Sequence, residues 1–303
     1  MKAMQVKSSS LWNKLWAGNI GPVSLLVFFI IIIWYLGSIY LNSPFLIDRY
    51  EKKEVDWTIT QLANDSWSME RPVLPAPHQV LAELKKTIID RKITSKRSLV
   101  YHAGVTLSSA MLGFVMGTLL GILLAIGIVH VTTLDRSLMP WIIASQTIPI
   151  LAIAPMIIVV LGAIGISGLV PKAVISTYLC FFPVTVGMVK GLRSPNTMLL
   201  DLMRNYNASN SQLFWKLRLP ASIPYLFTSL KIAVALSLVG AIVAELPTGA
   251  QAGLGSRLLS GSYYGQTSLI WAALITASVV SAFLVSLIGW IEKRTIMLMG
   301  LQS

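Results

Sequence analysis

Long apolar runs separated by short polar connections set the pattern of this chain. A helix needs about 20 mostly apolar residues to cross the hydrocarbon core of a bilayer. Six windows qualify: Pro22–Leu41, Val105–Val129, Leu138–Ile164, Leu169–Val189, Tyr225–Leu246 and Leu269–Ile291. The third contains Pro149 and Pro155, and the fourth Pro183. Proline is tolerated in a span where neighbouring helices or water satisfy the freed carbonyls, so these two spans are predicted to pack inside a bundle. The first window holds the unbroken run Val27–Trp34. It is too long for a signal-peptide h-region and no A-x-A site follows it, so it is predicted to remain as an anchor.

Between the first two windows, residues 42–76 read as a polar connection carrying Trp57 and Trp67, followed by the stiffening Pro72, Pro75 and Pro77. Val80, Leu81, Leu84 and Ile88 then recur at roughly helical spacing, with Glu83, Lys85, Lys86 and Asp90 on the other face. This pattern predicts an amphipathic helix, lying on the membrane or packed on a small cap. In the second window Gly113, Gly117, Gly121 and Ala125 recur every four residues. Small side chains on one helical face let backbones approach closely in lipid, which predicts a central, closely packed helix.

Composition agrees with this reading. Of 303 residues 55% are hydrophobic and 12% charged, and the mean hydropathy is +0.72. Soluble domains are about a quarter charged, so a water-soluble globule is excluded. Cys180 is the single cysteine, which excludes an intrachain disulfide and a cysteine metal cluster. His78, His102 and His130 lie far apart in sequence. The net charge of +12 would suit a nucleic-acid binder, but the cations flank the apolar windows and no nucleic-acid motif accompanies them. Lys2, Lys7 and Lys14, Arg136, the segment with Lys190, Arg193, Arg204, Lys216 and Arg218, and Lys293 with Arg294 all fall on one side of a six-span chain. By the positive-inside rule that side is cytoplasmic. Residues 42–98, placed outside, carry ten Lys/Arg and eight Asp/Glu, and long segments cross largely regardless of charge.

The stretch 199–224, LLDLMRNYNASNSQLFWKLRLPASIP, is the most informative. Leu199, Leu202, Met203 and Tyr206 form an apolar stripe that breaks at Asn207, a residue that tolerates the left-handed conformation ending a helix. Ser209 and Gln212 make a capping box for a second helix bearing Leu213, Phe214 and Leu217, predicted to stop at Leu219–Pro220. The chemistry of this helix–turn–helix fits a docking element or an interfacial amphipathic hairpin.

This stretch resembles the cytoplasmic coupling motif of ABC importer permeases, E-A-A-x3-G-x9-I-x-L-P. Asp201 stands at the Glu position, Leu202 and Met203 at the Ala positions, Asn207 at the Gly, Leu217 at the Ile, and Leu219–Pro220 at the final pair. The flanking residues, LPAPHQVLAEL at 74–84 and AxxGLG at 250–255 are similar to the nitrate/sulfonate/taurine group. The resemblance covers residues 72–298 and leaves 42–71 as an insertion.

The resemblance implies an all-α, polytopic membrane bundle of six transmembrane helices with the type I importer permease fold and a cytoplasmic coupling helix. The chain then divides into a tail and first helix (1–41), a periplasmic insertion with its amphipathic helix (42–98), a five-helix core (99–296) containing the hairpin 199–224, and a tail (297–303). The implied activity is not enzymatic: the chain would form the path for a small polar solute across the bacterial inner membrane. The chain holds no GxxxxGK[ST] phosphate loop, so ATP and Mg would be used by a dimer of partner ATPase subunits, with no cofactor bound here. Further implied partners are a periplasmic substrate-binding protein, a second permease and membrane lipid. The departures from Glu-Ala-Ala and Gly favour a heteromeric pair over a homodimer.

Asp201, Arg204, Asn207, Ala208, Ser209, Leu213, Phe214, Leu219 and Pro220 are the implied ATPase-coupling residues. Polar groups inside a membrane face a bundle interior or a pathway, which makes Gln146, Thr147, Ser176, Tyr178, Ser237 and Glu245 candidates for the translocation path. For the hydroxyls, interhelical hydrogen bonding is the competing role. Glu245, beside Pro247, would anchor the 248–256 loop or belong to an outer gate. Lys231 is expected to snorkel to the cytoplasmic interface. Tyr263 and Tyr264 suit an interfacial belt. The competing classes are a gradient-driven transporter or channel, which calls for inverted repeats or paired intramembrane charges, and a membrane-embedded enzyme, which calls for clustered His, Asp or Glu within spans. Neither signature is visible.

Overall fold

A computed structural model describes residues 20–247 and 252–300. The chain forms two compact units, Met1–Lys86 with Tyr264–Ala272, and Thr87–Tyr263 with Ala273–Ser303. All regular structure among the described residues is helical.

In the first unit, α1 (Ile20–Lys52) is far longer than the apolar window that announced it. At 1.5 Å per residue it spans about 50 Å, against a hydrocarbon core of about 30 Å. The segment expected to be a polar connection from residue 42 is therefore helical to Lys52. The reason lies in one helical face. Ser38, Asn42, Leu46 and Tyr50 recur every fourth residue and all are buried. Two polar members hide this stripe from a hydropathy reading. Asn42 Oδ1 accepts from the backbone N–H of Val73 (2.7 Å) and Leu74 (3.2 Å), and its Nδ2 donates to Leu74 O (3.0 Å). Ser66 Oγ donates to Ser38 O (3.1 Å), and Tyr50 donates to Asp65 (2.5 Å). Ser66 and Asp65 belong to α2 (Ile59–Ser68), capped by Thr58. The predicted amphipathic helix is α3 (Pro77–Leu84), prolonged by a π turn over Lys85–Ile89.

The second unit is built on α4 (Leu99–His130), α7 (Leu169–Leu192) and α10 (Leu219–Glu245). The glycine stripe of α4 lies directly on α7. A Cβ on Gly113 would sit 2.3 Å from Ser176 Cβ, one on Gly117 2.6 Å from Cys180 Cβ, and one on Gly121 2.8 Å from Val184 Cβ. Gly240 of α10 approaches α7 in the same way, its Cβ position 2.8 Å from Ser176 Cα. Close approach lets Thr177 Oγ1 donate to Gly113 O (3.2 Å) and Cys180 Sγ to Ala233 O (3.1 Å).

The third apolar window is not one helix. It forms α5 (Thr132–Ser145) and α6 (Ile150–Ala163), bent by 101°. Pro149 adopts an extended conformation at the start of α6, and proline disfavours helical geometry in the residue before it, here Ile148. Pro155 and Pro183, by contrast, pass inside helices. The described residues thus contain five helices long and apolar enough to cross a membrane, or six if the bent pair is one span. The fifth is α12 (Thr267–Leu298), which follows the short α11 (Leu254–Tyr263). Their outward faces are rich in exposed leucine, isoleucine, valine and phenylalanine, which lipid accommodates without penalty.

Candidate functional site

Between α7 and α10 the chain forms a hairpin. Helix α8 (Thr197–Asn205) begins at Asn196, whose side chain accepts from Met198 N (3.2 Å). Asn207 has φ = +52°, the left-handed turn expected there. Ser209 then caps α9 (Asn210–Leu213): Gln212 N donates to Ser209 Oγ (3.3 Å), and Ser209 N to Gln212 Oε1 (2.9 Å). No residue of α8 is buried. Met198, Leu202 and Tyr206 are 78%, 50% and 80% exposed. Asp201 and Arg204 lie beside this apolar face and pair at 3.5 Å, both largely in solvent, an arrangement worth little for stability.

Two expectations for the hairpin are corrected. The second helix does not stop at Leu219–Pro220. A π turn over Phe214–Arg218 lets Leu219 N–H reach Phe214 O, and Pro220, which has no N–H to donate, directly follows this turn. The hairpin therefore runs without interruption from Asn210 into the span ending at Glu245. Phe214, expected to face a partner, is buried in the chain's own core with Ile128, Met188 and Leu192, and its ring meets His130 edge-on at 5.2 Å. It fastens the hairpin to the bundle. Leu213 and Ala208 are half-buried, while Asp201, Arg204, Asn207 and Ser209 are exposed.

At the other end of α10, Glu245 is fully buried. Its carboxylate accepts from Thr106 Oγ1 (3.0 Å) and from Gly255 N (2.8 Å), and Lys172 Nζ lies 3.6 Å away. Thr106 Oγ1 in turn accepts from Leu254 N (2.8 Å). Gly253 has φ = +127°, and a Cβ there would fall 2.1 Å from Glu245 Cδ, so only glycine closes this turn. His102 had no sequence signal and belongs here. Gly253 N donates to its Nδ1 (2.9 Å), while its Nε2 lies 2.8 Å from Arg257 Nε and 2.9 Å from Lys96 O. Arg257 donates to the same Lys96 carbonyl. Residues 248–251 of the expected loop lie outside the described residues.

The remaining path candidates are dispersed. Ser176 is buried beneath Gly113 and Gly240, and its hydroxyl has no hydrogen-bond partner among the described residues. Ser237 is buried and donates to Val234 O within its own helix (2.8 Å). Tyr178 donates to Ser145 O at the end of α5. Gln146 and Thr147 are exposed at the break between α5 and α6. Lys231 does not simply snorkel, because it forms an ion pair with Glu292 of α12. Tyr263 and Tyr264 are exposed.

An apolar multi-helix bundle that carries a capped hairpin, with no residue of α8 buried, has the features of a transporter's membrane subunit. Residues 117–297 match the model of the family described as binding-protein-dependent transport system inner membrane component, and the chain belongs to that family. A probable ABC transporter permease protein of Haemophilus influenzae is 32% identical over 76% of this chain and 91% of its own length. The formylaminopyrimidine transport permease protein ThiX of Halalkalibacterium halodurans is 33% identical over 62% of this chain and 73% of its own. The riboflavin transport system permease protein RibX of Chloroflexus aurantiacus is 30% identical over 73% and 78%. The chain is thus the permease subunit of an ABC importer, a multi-pass protein of the inner membrane. Family membership implies ATPase and substrate-binding-protein partners.

Proposed function

We propose that the permease couples to its ATPase through the face formed by Asp201, Arg204, Asn207, Ala208 and Ser209, flanked by the exposed apolar edge of α8. The observation that carries this reading is that α8 is amphipathic yet buries none of its residues in its own chain. An amphipathic helix is stabilised by packing its apolar face, and that packing awaits a partner. The ATPase subunits would use ATP and Mg, and this chain would bind neither.

A second permease completes the path. The departures from the coupling motif at Asp201, Leu202, Met203 and Asn207 support a heteromeric pair over a homodimer. The solute is a small polar molecule delivered by a binding protein. Nitrogen heterocycles lead, because relatives named for formylaminopyrimidine and riboflavin transport are 33% and 30% identical, while a sulfonate permease is 25% and a nitrate permease 29%.

ATP-driven uptake by the assembled transporter in proteoliposomes tests the coupling face. Ala208→Glu should leave ATP hydrolysis and assembly of the membrane subunits intact while uptake falls by at least about tenfold. Normal uptake by this variant would overturn the assignment.

A further inference from the structure

The insertion at 42–71 precedes the family match at 117–297, and it holds a cleft of about 740 Å³. Sites for small molecules run from about 300 to 1,000 Å³. Leu46 and Tyr50, both buried on the inner stripe of α1, supply its floor, with Met69 alongside. Arg49 and Lys53 are four residues apart on the last turns of α1, and Arg71 lines the cleft from the segment after α2. Among the described residues none of these three cations forms an ion pair. Two carboxylates, Asp65 and Glu70, also line the cleft, so three cations face two acids, and Asp65 in addition accepts the Tyr50 hydroxyl at 2.5 Å. Cations at a helix C-terminus complement its dipole, yet that role does not account for Arg71, which lies outside any helix.

The position of the cleft along α1 selects between ligands. Trp34 Nε1 donates to Pro75 O (2.9 Å), and Ser38 and Asn42 bond the 66–74 segment. The apolar window of α1 ends at Leu41. Arg49 is eight residues beyond it, about 12 Å along the helix axis. The headgroup layer is about 5–8 Å thick on each side. The cleft therefore stands in the aqueous phase rather than at the level of lipid headgroups.

We propose that this cleft is a binding site for a small, water-soluble organic anion: a carboxylate, a sulfonate or a phosphate ester. Arginine presents a planar fork of donors that matches an oxyanion, and charge-assisted bonds of this kind are the strong ones. The floor of Leu46, Tyr50 and Met69 receives the carbon portion. The site shares no residue with the hairpin or the Glu245 cluster, so it stands or falls separately from the coupling assignment.

Calorimetric titration of the full chain in detergent tests it, with propionate, propanesulfonate and glycerol 3-phosphate as probes. At least one probe should bind saturably at one site per chain. Binding should weaken about tenfold or more in Arg49→Gln/Arg71→Gln, whose substitutions are at exposed positions, and strengthen in Glu70→Gln. The gain in Glu70→Gln separates loss of a ligand contact from loss of the fold. No saturable binding of any probe at millimolar concentration would overturn the proposal, as would equal binding by the double variant. Nanodiscs with and without phosphatidylglycerol distinguish the sources of the anion. Binding that vanishes when the anionic lipid is present would assign the cleft to a headgroup and overturn the soluble ligand.

Discussion

The Thr106 hydroxyl donates to the Glu245 carboxylate at 3.0 Å across 139 positions of sequence. This bond joins α4 to the end of α10, and through Gly255 N and Leu254 N it also fixes the start of α11. Burying a carboxylate is unfavourable unless it is fully paired, and here hydroxyl, amide and ammonium groups surround it. Glu245→Ala leaves those donors without this acceptor and should destabilise the chain by about 3–5 kcal/mol. Glu245→Gln retains one acceptor oxygen and should cost less. Thermal unfolding of the detergent-solubilised variants checks the order, and equal stability of Glu245→Ala and the parent would refute the anchoring role.

Glycines of α4 separate into two kinds. Gly113 has α7 against it, while a Cβ on Gly104 meets nothing within 4 Å. Gly113→Ala drives the new methyl into Ser176 Cβ and the Ala173 carbonyl, and overpacking of this kind costs about 1–3 kcal/mol. Gly104→Ala adds helix propensity without a clash and should be neutral or stabilising by up to about 1 kcal/mol. Unfolding midpoints of the two variants measured side by side should move in opposite directions or differ by several degrees. Equal midpoints would mean that the α4–α7 contact yields more readily than its geometry implies.

Much of this architecture was legible because it is local. Apolar runs announce spans, and the Asn207 turn and the Ser209–Gln212 capping box follow from side-chain chemistry within a few residues. The failures share one cause, which is dependence on contacts remote in sequence. The Ser38–Asn42–Leu46–Tyr50 stripe reads as polar until the 66–74 segment is placed against it. Pro149, Pro155 and Pro183 look equivalent in sequence, yet only Pro149 coincides with a break between helices. Phe214 lies on the face shared with Leu213 and Leu217, and nothing local tells a residue that packs on its own bundle from one that docks on another subunit. His102 acquires its partners at Gly253 and Arg257 only through the fold.

Lys231 and Glu292 form an ion pair between α10 and α12, with side chains 34% and 16% exposed. Removing one member of a partly buried pair strands the other, whereas removing both is often close to neutral. Lys231→Met should therefore destabilise more than Lys231→Met/Glu292→Gln. A double-mutant cycle on thermal unfolding should return a coupling of about 0.5–3 kcal/mol. A coupling indistinguishable from zero would reduce the pair to a surface contact.

Neighbouring apolar residues of the hairpin should respond in opposite ways. Phe214 is 9% exposed and packs in the bundle core, while Leu202 and Tyr206 project from α8. Phe214→Ala removes a buried aromatic ring and should destabilise the chain by about 3 kcal/mol. It should also loosen the ATPase indirectly, by releasing the base of the hairpin. Leu202→Asp/Tyr206→Ser changes only exposed positions and should leave the unfolding midpoint within about 0.5 kcal/mol of the parent. If the α8 face docks on the ATPase, that same variant should nonetheless lose copurification with it, because a charge replaces the apolar contact and would be buried unpaired. Ser209→Ala gives an intermediate case, losing a helix cap worth about 1 kcal/mol while leaving the apolar face intact. Retention of the ATPase by Leu202→Asp/Tyr206→Ser, with an unchanged midpoint, would place the docking surface elsewhere on the chain.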